Sequence, residues 1–177
     1  MTDRDIILQV LAGDAEAFAL LVDRHYDRCA RVAFRILGNR EDAEEAIQDA
    51  FLRAYRALGS YENREHFSAW LTRILINQCR SVLSKVRRSE ALFIELEPGL
   101  MGGFAAQEAD DGSWPDLERA LARLPADQRE AIVLRFADDL TYEQMARVTG
   151  AGESALKMRV QRAFARLRAL LPEVSRV

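Results

Sequence analysis

Apolar residues recur at intervals of three and four in two blocks of this chain, and the stretch between them has no such rhythm. In the first block Ile6, Ile7, Val10 and Leu11 open the pattern, and Gly13 interrupts it. Asp14 then stands where an N-cap belongs. Phe18, Leu21, Val22, Tyr26, Cys29, Val32 and Ile36 carry one stripe to the stop signal Gly38-Asn39. A third helix begins with Glu41, Asp42, Glu44 and Glu45, which suit the positive end of the helix dipole, and it runs through Ile47, Phe51, Ala54 and Leu58 to Gly59. A polar loop, 60–66, leads to a fourth helix expected from about Phe67 to Arg88. The second block opens at Pro115, with helices expected at about 116–123, 126–136, 141–148 and 153–171. Thr141 and Gln144 have the spacing of a capping box. No strand-like alternation appears.

The fold expected is therefore all-α, with a helical domain over 1–88, a linker over 89–115 and a second helical domain over 116–177. Pro98-Gly99, Gly102-Gly103 and Gly112 break helices in the linker, with a short helical piece around Ala91 to Leu96 as an option. Charge follows the same division. The net charge of −3 hides 14 basic against 13 acidic residues over 1–88, seven acidic and no basic residues over 89–116, and 11 basic against eight acidic over 117–177. An acidic, Gly-bearing stretch of this kind favours a solvated tether. No apolar run approaches the roughly 20 residues of a membrane span, so no membrane insertion is expected. The opening Thr2-Asp3-Arg4-Asp5 is unlike a signal peptide, and Cys29 and Cys79 lie far apart. A reducing, cytoplasmic setting is expected.

Three helical faces draw attention. Near the C-terminus a short helix with Tyr142, Met145, Ala146 and Val148, the turn Thr149-Gly150-Ala151-Gly152, and a longer helix form a helix-turn-helix pattern. Leu156, Val160, Ala163, Phe164 and Leu167 are assigned to the buried side of the longer helix. Lys157, Arg159, Gln161, Arg162 and Arg166 are assigned to its exposed side, which can enter a major groove; a solvated cationic face is the plainer alternative. On the fourth helix Arg73, Asn77, Arg80, Ser84 and Arg87 share one face, Lys85 and Arg88 extend the charge, and Tyr61, Asn63, Arg64 and His66 lie in the loop before it. Asn and Arg read base edges, although many bundle helices carry such a face for solubility alone. The third helix is opposite in sign. Glu41, Asp42, Glu45, Gln48 and Asp49 form a patch that would repel DNA, so it faces solvent or a basic protein.

Chemistry of other kinds finds little footing. His25 and His66 are the only histidines and neither neighbours a nucleophile motif, no phosphate-binding Gly-rich loop occurs, and the carboxylates do not pair. No catalytic residue, metal site or cofactor is expected.

Taken in order, these segments resemble the extracytoplasmic-function sigma factors, minimal bacterial transcription initiation factors of the sigma-70 family. Residues 42–58 look like the polymerase-binding helix of region 2, and 67–77 like the start of its −10 recognition helix. Residues 124–131 and 141–146 look like region 4, and 157–163 like its −35 recognition helix. The resemblance implies partners: core RNA polymerase, promoter DNA and an anti-sigma factor. It implies that Asp42, Glu45, Gln48 and Asp49 dock the clamp helices of the polymerase largest subunit. Tyr61, Asn63, Arg64, Arg73, Asn77, Arg80 and Lys85 would then serve the −10 element, the loop capturing a flipped base. Lys157, Arg159, Gln161 and Arg162 would face the −35 groove. Where the family usually reads Ser-Pro-x-Thr-Val before the last helix, this chain has Gly152-Glu153-Ser154-Ala155-Leu156, and Ala155 offers no hydroxyl to a phosphate. An autonomous helix-turn-helix regulator with an N-terminal interaction bundle, and a pure protein-interaction module, are the other classes compatible with the residues.

Overall fold

A computed structural model describes residues 1–62, 66–96 and 115–171, and among them every regular element is helical. The N-terminal module holds α1 (Asp3–Leu11), α2 (Phe18–Leu37), α3 (Arg40–Ala57) and α4 (Phe67–Leu96). The C-terminal module holds α5 (Pro115–Ala122), α6 (Ala126–Ile132), α7 (Tyr142–Thr149) and α8 (Glu153–Leu170).

Helix ends are set by local chemistry. Thr2 and Asp5 close a capping box at α1, and Asp14 accepts a bond from the Ala17 amide before a single 3-10 turn leads into α2. Gly38 ends α2 at φ 71°, a left-handed conformation that costs glycine no Cβ clash, and Asn39 caps α3 through the Glu41 and Asp42 amides. Thr141 and Gln144 form the expected capping box at α7, and Gly150 closes that helix at φ 73°. Thr149 Oγ1 donates to the Met145 carbonyl at 2.8 Å and accepts from the Ala151 amide at 3.2 Å, which fixes the turn into α8. Gly152 caps α8 with no side-chain bond.

Two helices depart from expectation. Helix α4 does not stop near Arg88 but runs to Leu96. Nothing from Ser89 to Leu96 breaks a helix; the first breaker is Pro98, so loss of basic charge misplaced the end. Helix α6 does not continue regularly to 136. It ends at Ile132, and Val133–Ala137 widens into a π turn, with the Asp138 amide bonding the Val133 carbonyl at 3.2 Å. Asp139 follows at φ 51°, a conformation that Asp tolerates better than most residues. The linker expected over 89–115 otherwise falls mostly outside the described residues.

Helices α2, α3 and α4 pack mutually, with α1 laid across α2. Ile6, Leu21, Ile36, Ile47, Leu58, Leu71, Leu75 and Ile76 are almost wholly excluded from solvent. In the second module α6 and α7 pack on α8 around Leu134, Met145 and Leu156. The modules are not separated in space: α7 lies on α4, and α2 meets α5, α6 and the π turn. Buried apolar residues of both form one continuous cluster.

Candidate nucleic-acid interface

Helix α8 of the second module is built on a seam of Leu156, Val160, Ala163 and Leu167, all buried at steps of four, three and four. Phe164, assigned to that seam from the sequence, is 45% exposed, and its ring meets the exposed Phe136 edge-to-face at 5.2 Å. It sits one residue past Ala163, about 100° around the helix, so it leaves the seam. Gln161 and Arg162 point to solvent with no partner among the described residues, and Met158, about one turn before them, is also exposed. Lys157 and Arg159 flank the seam instead. Lys157 lies 5.5 Å from the Tyr142 ring centroid and 3.9 Å from Glu153, and Arg159 lies 3.5 Å from Asp127. Gln161 and Arg162 are thus unengaged within the described residues, whereas Lys157 and Arg159 have acidic neighbours at 3.9 and 3.5 Å, exposed pairs of little energetic weight. The sequence reading missed Met158 because an apolar residue at helical spacing reads as core.

On α4 the five-residue stripe forms one face, but its members differ in surroundings. Asn77, Ser84 and Arg87 are exposed, and Arg73 is half-buried. Arg80 does not face solvent freely as expected. Its Nη2 and Nε donate to Glu130 at 2.7 and 2.9 Å, and its Nη1 donates to the Thr149 carbonyl at 3.2 Å. The bidentate carboxylate favours the charged guanidinium and raises its pKa further. Lys85 reaches Glu45 on α3 at 3.6 Å, an exposed pair of little energetic weight. Tyr61 packs into an aromatic cluster with Phe67 and Trp70, at centroid distances of 5.8 and 5.1 Å. Asn63 and Arg64 lie outside the described residues. A cleft of about 510 Å³ opens between this corner and α7, lined among others by Arg4, His25, His66, Arg73 and Arg147.

The acidic face of α3 presents Glu45, Gln48 and Asp49 to solvent, with Asp42 half-buried at its start. Ile47 and Phe51, which lie beside these acids in sequence, belong to the core. The apolar side chains that accompany the acids in space are Leu52 and Tyr55, 46% and 40% exposed. Tyr55 also packs edge-to-face on Phe18 at 5.1 Å, so Leu52 is the more open of the two beside the acids.

The two thiols are structural. Cys29 and Cys79 are buried, and burial pushes each pKa from 9.0 up to about 12. Iodoacetamide at pH 8 should label neither in the native chain and both after denaturation, as read by intact mass. Because the folded pKa is raised, the thiols' contribution to stability is complete below their unfolded value and is lost as pH rises toward 12. His25, also buried, bonds Asp3 at 2.9 Å, and Asp3 is paired in turn with Arg24. Among the described residues no group of three or more His, Cys, Asp or Glu side chains is placed to hold a metal, and no helix is long and apolar enough to cross a membrane.

Family models match both helical modules. The family model for Sigma-70 region 2 matches residues 21–89, and that for Sigma-70 region 4 matches residues 115–167. The ECF RNA polymerase sigma factor SigM of Mycobacterium tuberculosis is 36% identical over 171 residues, covering 96% of this chain and 85% of its own. The ECF RNA polymerase sigma-E factor of Escherichia coli is 32% identical, covering 92% and 91%. Among solved structures, the sigma factor RpoE in complex with the anti-sigma factor NepR from Bartonella quintana shares 31% identity at a TM-score of 0.74, covering 90% of this chain and 98% of that one. CnrH in complex with the cytosolic domain of CnrY shares 29% identity at a TM-score of 0.70, covering 98% and 99%. With both regions matched in order and relatives above 30% identity along nearly its full length, the chain belongs to the extracytoplasmic-function sigma factors of the sigma-70 family.

Proposed function

We propose that the chain docks core RNA polymerase through α3, reads the −10 element with α4 and the loop before it, and reads the −35 element with α8. The observation that carries this reading is a pair of exposed amides beside guanidinium groups: Asn77 near Arg73 on α4, and Gln161 beside Arg162 on α8. An amide can bond N6 and N7 on one edge of adenine, and a guanidinium O6 and N7 on one edge of guanine, so each helix bears side chains able to discriminate bases. The α3 face, with Asp42, Glu45, Gln48 and Asp49 around Leu52 and Tyr55, is assigned to the basic clamp helices of the polymerase largest subunit. An anti-sigma factor is a further partner, since both solved relatives above are bound to a second protein and one is named as an anti-sigma factor.

The chain contributes no covalent chemistry in this scheme. Polymerase fixes the separation of the two modules, and engaging one promoter element raises the effective concentration of the other. Bases captured by the first module offset a melting cost of about 1.4 kcal/mol per base-pair step. The functional setting is the compartment that holds polymerase, the cytoplasm.

Run-off transcription with purified core polymerase on candidate stress promoters tests the whole reading. A transcript that requires the chain supports it, and specific duplex binding by the chain alone on a palindromic operator would favour an autonomous regulator instead. Within that assay Asn77→Ala should reduce −10 protection in a footprint about tenfold, the value of one good bidentate base contact, while co-purification with core polymerase persists. Equal loss of both would remove Asn77 from the −10 surface.

A further inference from the structure

The cleft of about 510 Å³ lies among three helices, with Arg4 of α1, the first turns of α4 and Arg147 of α7 on its wall. That volume falls in the range of about 300–1,000 Å³ that takes a small organic ligand. The wall is cationic. Arg4 and Arg73 line it, and neither is hydrogen-bonded or ion-paired among the described residues. Arg147 joins them from α7, where it also pairs with Glu143 in a weak, exposed i,i+4 contact. The one carboxylate that lines the cleft among the described residues, Asp3, is already held by His25 at 2.9 Å and by Arg24.

Other buried or half-buried arginines of this chain are matched: Arg80 holds Glu130, and Arg28 holds Asp138. The cleft instead gathers guanidinium groups from three helices and gives two of them no acid. Like charges so placed repel one another, a cost that a bound anion would remove. The first residues of α4, Phe67 to Ala69, stand on the same wall, which brings the positive end of a 30-residue helix to the cations. Tyr61, half-buried, adds an aromatic ring to the lining.

We propose that this cleft binds a free nucleoside phosphate, with its terminal phosphate on Arg4, Arg73 and Arg147 and its base against Tyr61. A terminal phosphate carries about two negative charges at neutral pH and three acceptor oxygens, whereas a phosphodiester within a strand carries one charge. Three guanidinium groups beside a helix N-terminus match the former, and each can hold phosphate oxygens by paired bonds. An aromatic face accepts any base by stacking. Arg73 and Tyr61 are shared with the −10 surface assigned above. Arg4 and Arg147 belong to neither the polymerase nor the promoter surface, so the site stands whether or not those assignments do.

The test is equilibrium titration of the full chain with N-methylanthraniloyl ADP as the fluorescent probe, followed by displacement with unlabelled ADP, pyrophosphate and adenosine. Saturable binding to a single site is expected, with ADP and pyrophosphate displacing the probe and adenosine binding about tenfold weaker than ADP or worse. Arg4→Glu and Arg147→Glu should each weaken binding about tenfold or more, the share of one lost charge-assisted contact. Arg31→Glu makes the same charge change at an exposed position of α2 outside the cleft, and should leave binding within about twofold of wild type. Both cleft variants should keep the urea midpoint, because an acid at the start of α1 suits the helix dipole and Arg147 is exposed. Absence of saturable binding, adenosine as good as ADP, or equal loss in Arg31→Glu overturns the site. So does Arg4-dependent binding of a fluorescein-labelled, mixed-sequence single-stranded DNA by a chain indifferent to the ADP probe, which would give the cleft to a promoter strand instead.

Discussion

Leu156→Ala should lower the unfolding free energy by about 3 kcal/mol, within the range for deleting a fully buried leucine side chain. Leu156 is 0% exposed and is the first buried residue of α8, placed where the turn Gly150–Gly152 delivers that helix onto α6 and α7. Three neighbours on the seam, Val160, Ala163 and Leu167, cannot close the gap, because each is already fixed by its own step along the helix. The measurement is a urea titration, in which the midpoint falls while the slope is retained. Gln161→Ala, one turn away on the exposed side, should move the same midpoint by no more than about 0.5 kcal/mol. A Leu156→Ala chain as stable as wild type would mean that α8 is not seated by this seam. Transcription from −35-dependent promoters should fall with Leu156→Ala even where the fold survives, since base-reading side chains need a rigid helix beneath them.

Much of this architecture was legible because its determinants are local. A Thr–Gln capping box, a glycine with positive φ after α2 and another after α7, and an apolar step of three and four each act within one or two turns, so Thr141, Gly38 and Gly150 could be assigned from sequence alone. The misassignments arose where local rules compete with distant ones. Phe164 has the composition of a core residue, and only the phase of Ala163 and Leu167 excludes it. Basic charge ends at Arg88, but the helix obeys the absence of a breaker and continues to Leu96. Arg80 shares a face with Asn77 and so reads as another exposed contact; its acid lies 50 residues away. Arg28 and Asp138 are separated by 110 residues, and a single sequence has no signal that joins them. Leu52, Tyr55 and Met158 were overlooked for the opposite reason: an exposed apolar residue looks buried until the packing is known. Part of the exposed surface of this chain, including the α3 face proposed to dock polymerase, is made of residues whose chemistry argues for the interior.

That last point bears on the second large effect. Asp49→Arg should abolish co-purification with core polymerase and reduce run-off transcript to background, while leaving the helical circular-dichroism signal and the urea midpoint unchanged. Asp49 is exposed in the middle of α3, with Gln48 beside it and Glu45 one turn before, so the substitution disturbs no buried contact. It replaces one attraction to a basic partner by one repulsion, and like charges juxtaposed in an interface cost several kcal/mol. Loss of about 3 kcal/mol is more than a hundredfold in affinity. Leu52→Ala offers an independent check on the same face. It removes an apolar side chain that is 46% exposed in the free chain, so folding should barely notice, yet a central anchor truncated in an interface costs about 2 kcal/mol or more. The two substitutions also differ in their response to salt. Raising ionic strength should weaken the wild-type complex and leave the ratio between wild type and Leu52→Ala nearly constant, because screening acts on the acids and not on the leucine. Retained polymerase binding in both variants would move the docking surface off α3 and leave its acids as a solubilising face.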